Sequence, residues 1–452
     1  MEASQSISDR DDFYLDILGQ QAKINRLYTQ LVLCFPLPDD SDSSMKAIVK
    51  TLTKGLERLS ASFPWVAGKV VEDEDGNFKI RPFHKPPFLI MADYRFLDYG
   101  NPHTIPDWAT LERAKFPFSM LDELWIAPQK TLAEGSVSEH PAPVFLVQAN
   151  LANGGLLLTF SAQHGSMDMR GQAQVMYLYA KACRNEPFTN SELNIGNMDR
   201  KYVIPLLNES DLGPDCPIST ESTGNDCIWA YFLFPATSLA TLKSIALTTT
   251  PLGGFVSTDD ALTAFVWQSI TRARLPHIIS TGTIKYNSTL SRNVDVRRHL
   301  SIPESYPGLV TAATVHTAAI DVLVEESLGT LATHLRSALN PAALKHKTCK
   351  LATIISKDKN SKMASFVPKG ISELDVRISS WAKENCSSLD FGFGKPVAVR
   401  RPRFKEGARE GLVYFLPKSL DGELAVGVCL RGEDMERLKM DEQFSKFGTF
   451  IG

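Results

Sequence analysis

In residues 154–169 an apolar run, Gly154-Gly155-Leu156-Leu157-Leu158-Thr159-Phe160-Ser161-Ala162-Gln163, leads into His164-Gly165-Ser166-Met167-Asp168-Met169. The run reads as a buried strand that carries a lone imidazole to its end. Such an imidazole can take a proton from a hydroxyl and return it to a leaving group, because its unperturbed pKa of about 6.5 lies near working pH. A satisfied core histidine is the competing reading from residue type alone. Gly165 is expected to let the backbone approach a ligand closely, where a side chain would obstruct. Asp168, paired with His164 as the candidate catalytic residues, either orients the imidazole as in a triad or turns away from it. His-x-x-x-Asp is a weak pattern, and His103 to Asp107 repeats it. That copy lies in a turn-rich stretch with no strand ahead of it, so context selects His164.

The elements that must position His164 are legible around it. Apolar residues 144–149 and 155–162 flank Asn153-Gly154, a strong hairpin signal. Met169, Ala173, Met176, Ala180 and Cys183 then mark one helix face, so the histidine occupies a strand-to-helix connection. Upstream, Met45, Ile48, Val49, Leu52, Leu56 and Leu59 predict an amphipathic helix capped by Asp42 or Ser43 and stopped at Phe63-Pro64. Periodicity dissolves between 185 and 226 and then resumes. Strands are expected at 228–234, 412–416 and 424–430, with helices at 258–273, 328–339 and from Glu433. The fold class is α/β, in an N-terminal domain at 1–200, a crossover at 201–226 and a C-terminal domain at 227–452.

Composition narrows the function classes. With 48 Lys plus Arg against 51 Asp plus Glu, the net charge of -3 supplies no basic field for nucleic acid or an anionic membrane. No run approaches the roughly 18 apolar residues of a membrane span, and the first residues lack a secretory pattern. Seven unpaired-looking cysteines point to reduced thiols and a cytoplasmic location. Dispersed histidines and cysteines predict no metal site, and the lack of a G-x-S-x-G elbow argues against a serine nucleophile.

Three further segments stand out. Asp390-Phe391-Gly392-Phe393-Gly394 alternates glycines with aromatics, as a tight turn anchored by its rings would. Ser257-Thr258-Asp259-Asp260 supplies a helix cap and early acids. Arg400-Arg401-Pro402-Arg403 is a dense basic cluster that suits either phosphate recognition or a solvated loop.

Together with Val294-Asp295-Val296-Arg297, the HxxxD and DFGFG segments resemble the BAHD acyltransferases over the whole chain. The fungal branch containing trichothecene 3-O-acetyltransferase is the most similar, through Phe63-Pro64-Trp65-Val66-Ala67-Gly68, Lys181-Ala182-Cys183-Arg184-Asn185, Ser257 to Leu262 and Tyr306-Pro307-Gly308-Leu309. Phe393 departs from the Trp of the plant-type motif. The resemblance implies two chloramphenicol-acetyltransferase-like domains, each a mixed sheet flanked by helices, with the active-site channel between them. It also implies a monomer that holds no permanent cofactor and uses acetyl-CoA as co-substrate with a small-molecule acceptor. Asp168 is implied to pair with Arg297, and Asp390, Gly392 and Gly394 to be structural. Ser257, Asp259 and Arg401 are assigned to the coenzyme. The implied acceptor is a hydroxyl of a fungal metabolite, the 3-OH of a trichothecene first, an indoline-type nitrogen as the rival. A condensation-type relative, which would carry HHxxxD where Gln163 stands, and a silent ligand-binding relative are the readings from other classes.

Overall fold

The computed structural model describes residues 12–83, 89–96, 105–135, 142–212, 227–250, 254–280, 286–357 and 373–452. His103 and the end of the predicted crossover lie outside them. Among the described residues, the N-terminal half builds a mixed sheet from β1 (Tyr28–Pro36), β2 (Ile90–Asp93), β3 (Phe145–Ala152) and β4 (Gly155–Gln163). β3 and β4 form the expected hairpin, with Ala152 opposite Gly155 and Gly154 at φ +84°, a conformation that glycine adopts without steric cost. β4 also pairs antiparallel with β1, and all nine of its residues are buried.

Helices α1 (Asp42–Ser62) and α2 (Met169–Cys183) pack against each other on one side of this sheet. Their apolar faces join Leu156, Leu158 and Phe160 in the main core. The cap of α1 is Ser41, whose hydroxyl accepts from Ser44, one residue ahead of the expected positions. The other side of the sheet is mixed: Val32, Cys34 and Leu157 pack in a second apolar cluster with Trp108 and Leu121, and beside it lies a row of amides. Gln148 donates to the Trp125 carbonyl at 2.9 Å, Asn150 to that of Ile126 at 2.9 Å, and Gln30 to that of Gln129. These amides replace water as partners for loop carbonyls, which is how an irregular segment can lie over a buried sheet.

The C-terminal half contributes β5 (Cys227–Phe234), α3 (Thr258–Ser280), β6 (Asn287–Asp295), β7 (Thr311–Ala319), β8 (Val376–Ser380), β9 (Ala398–Arg400), β10 (Leu412–Phe415), β11 (Leu424–Arg431) and β12 (Thr449–Phe450). Its sheet runs β7-β6-β8-β10-β11-β5-β12, with β8 parallel to both neighbours and the other pairs antiparallel. The helix predicted to end near Ala273 continues to Ser280, with Pro276 inside it. β9 does not join this sheet: Ala398 to Arg400 pair with Cys34 to Val32 of β1, tying the C-terminal half into the N-terminal sheet. The expectation of two mixed-sheet α/β domains therefore holds, with one strand of the C-terminal half added to the N-terminal sheet.

Candidate active site

The turn after β4 is held from below by amides. Gln163 donates to the Asn25 carbonyl at 2.9 Å and to Asn25 Oδ1 at 2.7 Å, and accepts from the Ser166 N–H at 2.7 Å. The His164 N–H donates to the Leu27 carbonyl at 2.8 Å, so the backbone leaves the strand with its donors satisfied. The partly exposed imidazole places Nδ1 3.3 Å from the Met167 carbonyl oxygen. A carbonyl can only accept, so Nδ1 carries the proton and Nε2 keeps its lone pair. Nε2 has no partner among the described residues. Burial lowers the imidazole pKa below its ordinary value; the Met167 carbonyl and Asp168 pull it upward, and the Arg401 cation pushes it down. The net result is a neutral base.

Asp168 faces away from that imidazole. Its carboxylate caps α2 through Gly171 N–H (2.8 Å), accepts from Val310 N–H (2.9 Å), and takes Arg297 bidentately at 2.8 and 2.9 Å. With both oxygens so used, the triad reading has no geometry behind it. Arg297, fully buried, spends all five donors: Nε on the Tyr306 carbonyl, Nη1 on Asp168 and Asp295, Nη2 on Asp168 and the Gly308 carbonyl. Burial works against this cation, and the Asp168 and Asp295 carboxylates more than offset it, raising its pKa.

A second buried carboxylate was missed in the sequence. Asp16 accepts from Tyr306 Oη at 2.5 Å and Leu309 N–H at 3.0 Å, and lies 3.9 Å from Arg200. Arg200 in turn donates to the Ser166 carbonyl at 2.7 Å. Burial raises the Asp16 pKa against the pull of Arg200 and Tyr306. Asp16, Arg200 and Arg297 thus clamp the 306–310 segment to the histidine turn from two sides. The Tyr306-Pro307-Gly308-Leu309 segment was the one sequence signal that pointed here.

The Transferase family model matches residues 126–445, and the trichothecene 3-O-acetyltransferase-like N-terminal domain model matches 27–183. An O-acetyltransferase of Cryptosporiopsis sp. is 45% identical, with 98% of each chain covered. The chain belongs to the Transferase (BAHD) family. Trichothecene 3-O-acetyltransferase of Fusarium sporotrichioides is 41% identical over 100% of both chains. The crystal structure of the F. graminearum enzyme complexed with coenzyme A and deoxynivalenol superposes with a TM-score of 0.91 at 38% identity, covering 98% of this chain and 100% of that one.

For this Transferase-family chain, four sequence readings gain a geometry. Gly165 is a glycine for a different reason than expected: an added Cβ would meet Asn25 Oδ1 at 2.1 Å, so the space belongs to the amide cradle rather than to a ligand. Asp390 Oδ1 accepts from Gly392 N–H (2.7 Å) and Gly394 N–H (3.0 Å), closing a turn in which both glycines have φ above +100°. Phe391 is buried against Phe160 and Tyr179, with centroids at 5.7 and 5.3 Å. Ser257 caps α3, its hydroxyl accepting from Asp260 N–H and donating to the Asp260 carboxylate, while Asp259 accepts from Ser380 at 2.5 Å. The basic cluster is not a solvated loop: Arg400 and Arg401 are buried, because β9 draws them between the two halves.

Proposed function

We propose that the chain moves an acetyl group from acetyl-CoA to a hydroxyl of a fungal secondary metabolite by direct attack, with His164 as general base. The carrying observation is the lock of Nδ1 on the Met167 carbonyl, which leaves Nε2 as a lone-pair base. Nε2 takes the acceptor's proton as its oxygen adds to the thioester carbonyl. The tetrahedral intermediate collapses, the C–S bond breaks, and the proton on Nε2 passes to the departing coenzyme thiolate. Holding both substrates in one channel supplies much of the acceleration. Asp168 and Arg297 act here by positioning the turn. Ser257 and Asp259, although hydrogen-bonded within the protein, are kept as residues along the coenzyme path.

The finer acceptor is the 3-hydroxyl of a trichothecene. Support comes from the two solved relatives complexed with coenzyme A and T-2 or deoxynivalenol. The condensation-type reading is disfavoured because Gln163, standing where a second histidine would be, spends its amide on Asn25 and Ser166. The division at 201–226 also belongs to this proposal, supported by a second core drawn wholly from residues 230–444. So do a monomeric state and a cytoplasmic location, the second supported by the free thiols of the described cysteines. Incubation with acetyl-CoA and, in turn, deoxynivalenol, T-2 and an indoline alkaloid, followed by mass spectrometry, tests the assignment. Acetyl addition to the first two supports it; addition to the indoline alone replaces it with N-acetylation.

A further inference from the structure

Arg401 is 3% exposed, yet among the described residues its guanidinium makes neither a hydrogen bond nor an ion pair. Nε is sealed without a partner, whereas Nη1 and Nη2 are not among the sealed atoms. Its neighbours differ: Arg400 donates to the Val399 and Lys115 carbonyls, and Arg403 to Asp122. The cation is held by rings, with centroids at 4.5 Å for Phe404, 4.6 Å for Tyr414 and 5.6 Å for Trp381. Aromatic faces cover the plane of a guanidinium and leave its N–H edge for another partner. Burying an unpaired cation is costly, so a site that keeps one is built for a partner that arrives.

The place of Arg401 says what that partner touches. It follows β9, whose neighbour β1 also pairs with β4, the strand that ends at the histidine turn. Its backbone is clamped to β5, because Tyr231 Oη accepts from Arg401 N–H at 2.8 Å and donates to its carbonyl at 3.0 Å. The guanidinium charge is felt both at His164 and at the buried Glu123, whose Oε2 accepts from Thr131 N–H at 2.7 Å.

We infer that Arg401, expected from its sequence cluster to serve the coenzyme, instead anchors the acceptor, its free N–H edge donating to an oxygen of the acceptor other than the hydroxyl that His164 deprotonates. This rests on the reading of His164 as the base. It selects a polyoxygenated acceptor, with ketone, ether or ester oxygens, over a hydrocarbon alcohol of similar size. A site that hydrogen-bonds a substrate group rejects the analogue lacking it, because the protein donors are then left buried and unpaired.

The test compares deoxynivalenol with a saturated polycyclic monoalcohol, using the full chain and acetyl-CoA. The native protein should prefer deoxynivalenol by about 10- to 100-fold or more in kcat/KM, the range of one charged hydrogen bond. Arg401→Met should collapse that preference through the acceptor's KM, leave the KM for acetyl-CoA unchanged, and move the acid limb of the rate to higher pH, since a cation near the imidazole is gone. Arg401→Lys should keep the acid limb and recover only part of the preference. An active Arg401→Met that retains the preference overturns the inference, as does a rise in the KM for acetyl-CoA alone, which would assign Arg401 to the coenzyme. If Arg401→Met does not fold, equal kcat/KM for the two alcohols in the native protein is the overturning result. Failure of the native protein to acetylate either alcohol would instead remove the O-acetyltransferase reading on which the inference rests.

Discussion

Asp168 and Arg297 meet through two parallel hydrogen bonds of 2.8 and 2.9 Å, and the carboxylate that follows the histidine by four residues is thereby tied to the opposite half of the chain. The pair sits where α2 begins and where the 306–310 segment crosses it. A bidentate contact fixes direction as well as distance, so the histidine turn is oriented by a residue that never touches the imidazole.

Removing one partner should be costly. Asp168→Ala strands a fully buried guanidinium and is expected to destabilise by about 3–5 kcal/mol, with activity falling alongside Tm. The double variant Asp168→Asn with Arg297→Gln should recover part of the loss, and denaturant titration of the four proteins measures the coupling. Additive losses would show that the pair contributes nothing jointly.

His164→Ala should abolish turnover while leaving Tm near that of the parent, because the side chain's ring contributes one hydrogen bond of 3.3 Å to the fold. In the parent, kcat/KM should rise with pH through a pKa below the ordinary imidazole value and be flat above it, since the neutral form is active and burial depresses its protonation. The same depression favours acid unfolding: below about pH 6.5 the unfolded chain takes up the proton first, so stability contributed at His164 is lost as pH falls toward the folded pKa. An acid limb above pH 7 would contradict the assignment.

Gly165→Ala places a methyl group 2.1 Å from Asn25 Oδ1 and should lower both Tm and kcat by displacing the turn. Asn25→Ala in the same chain opens that space and should return part of kcat. If Gly165→Ala alone is neutral, the amide cradle does not set the position of His164.

Asp390→Ala removes the acceptor shared by Gly392 and Gly394 and should destabilise by about 1–3 kcal/mol, while the KM values of the remaining folded enzyme stay unchanged. Gly392→Ala should act in the same direction, because its φ of +103° strains any residue with a Cβ. A selective change in KM for acetyl-CoA would give this turn a direct role in binding.

What the sequence determined by itself is local. Asn153-Gly154 set the hairpin because that dipeptide suits a two-residue turn, and the period of Met169 to Cys183 set α2, so the placement of His164 at a strand-to-helix junction was legible from neighbours within twenty residues. The resemblance to a family added Arg297 as the partner of Asp168, which no spacing could give, since the two are 129 positions apart. Tertiary structure alone decided the rest. Asp16 and Tyr306 meet across 290 positions, β9 leaves its own half to pair with β1, and Arg401 is drawn from an apparent basic loop into an aromatic cage. The same registration fills the space beside Gly165 with Asn25, which turns an expected ligand approach into a packing requirement. Residue type states which groups can donate, accept or carry charge; only the register of distant strands and the closure of two cores fix which of them are shut away from water together.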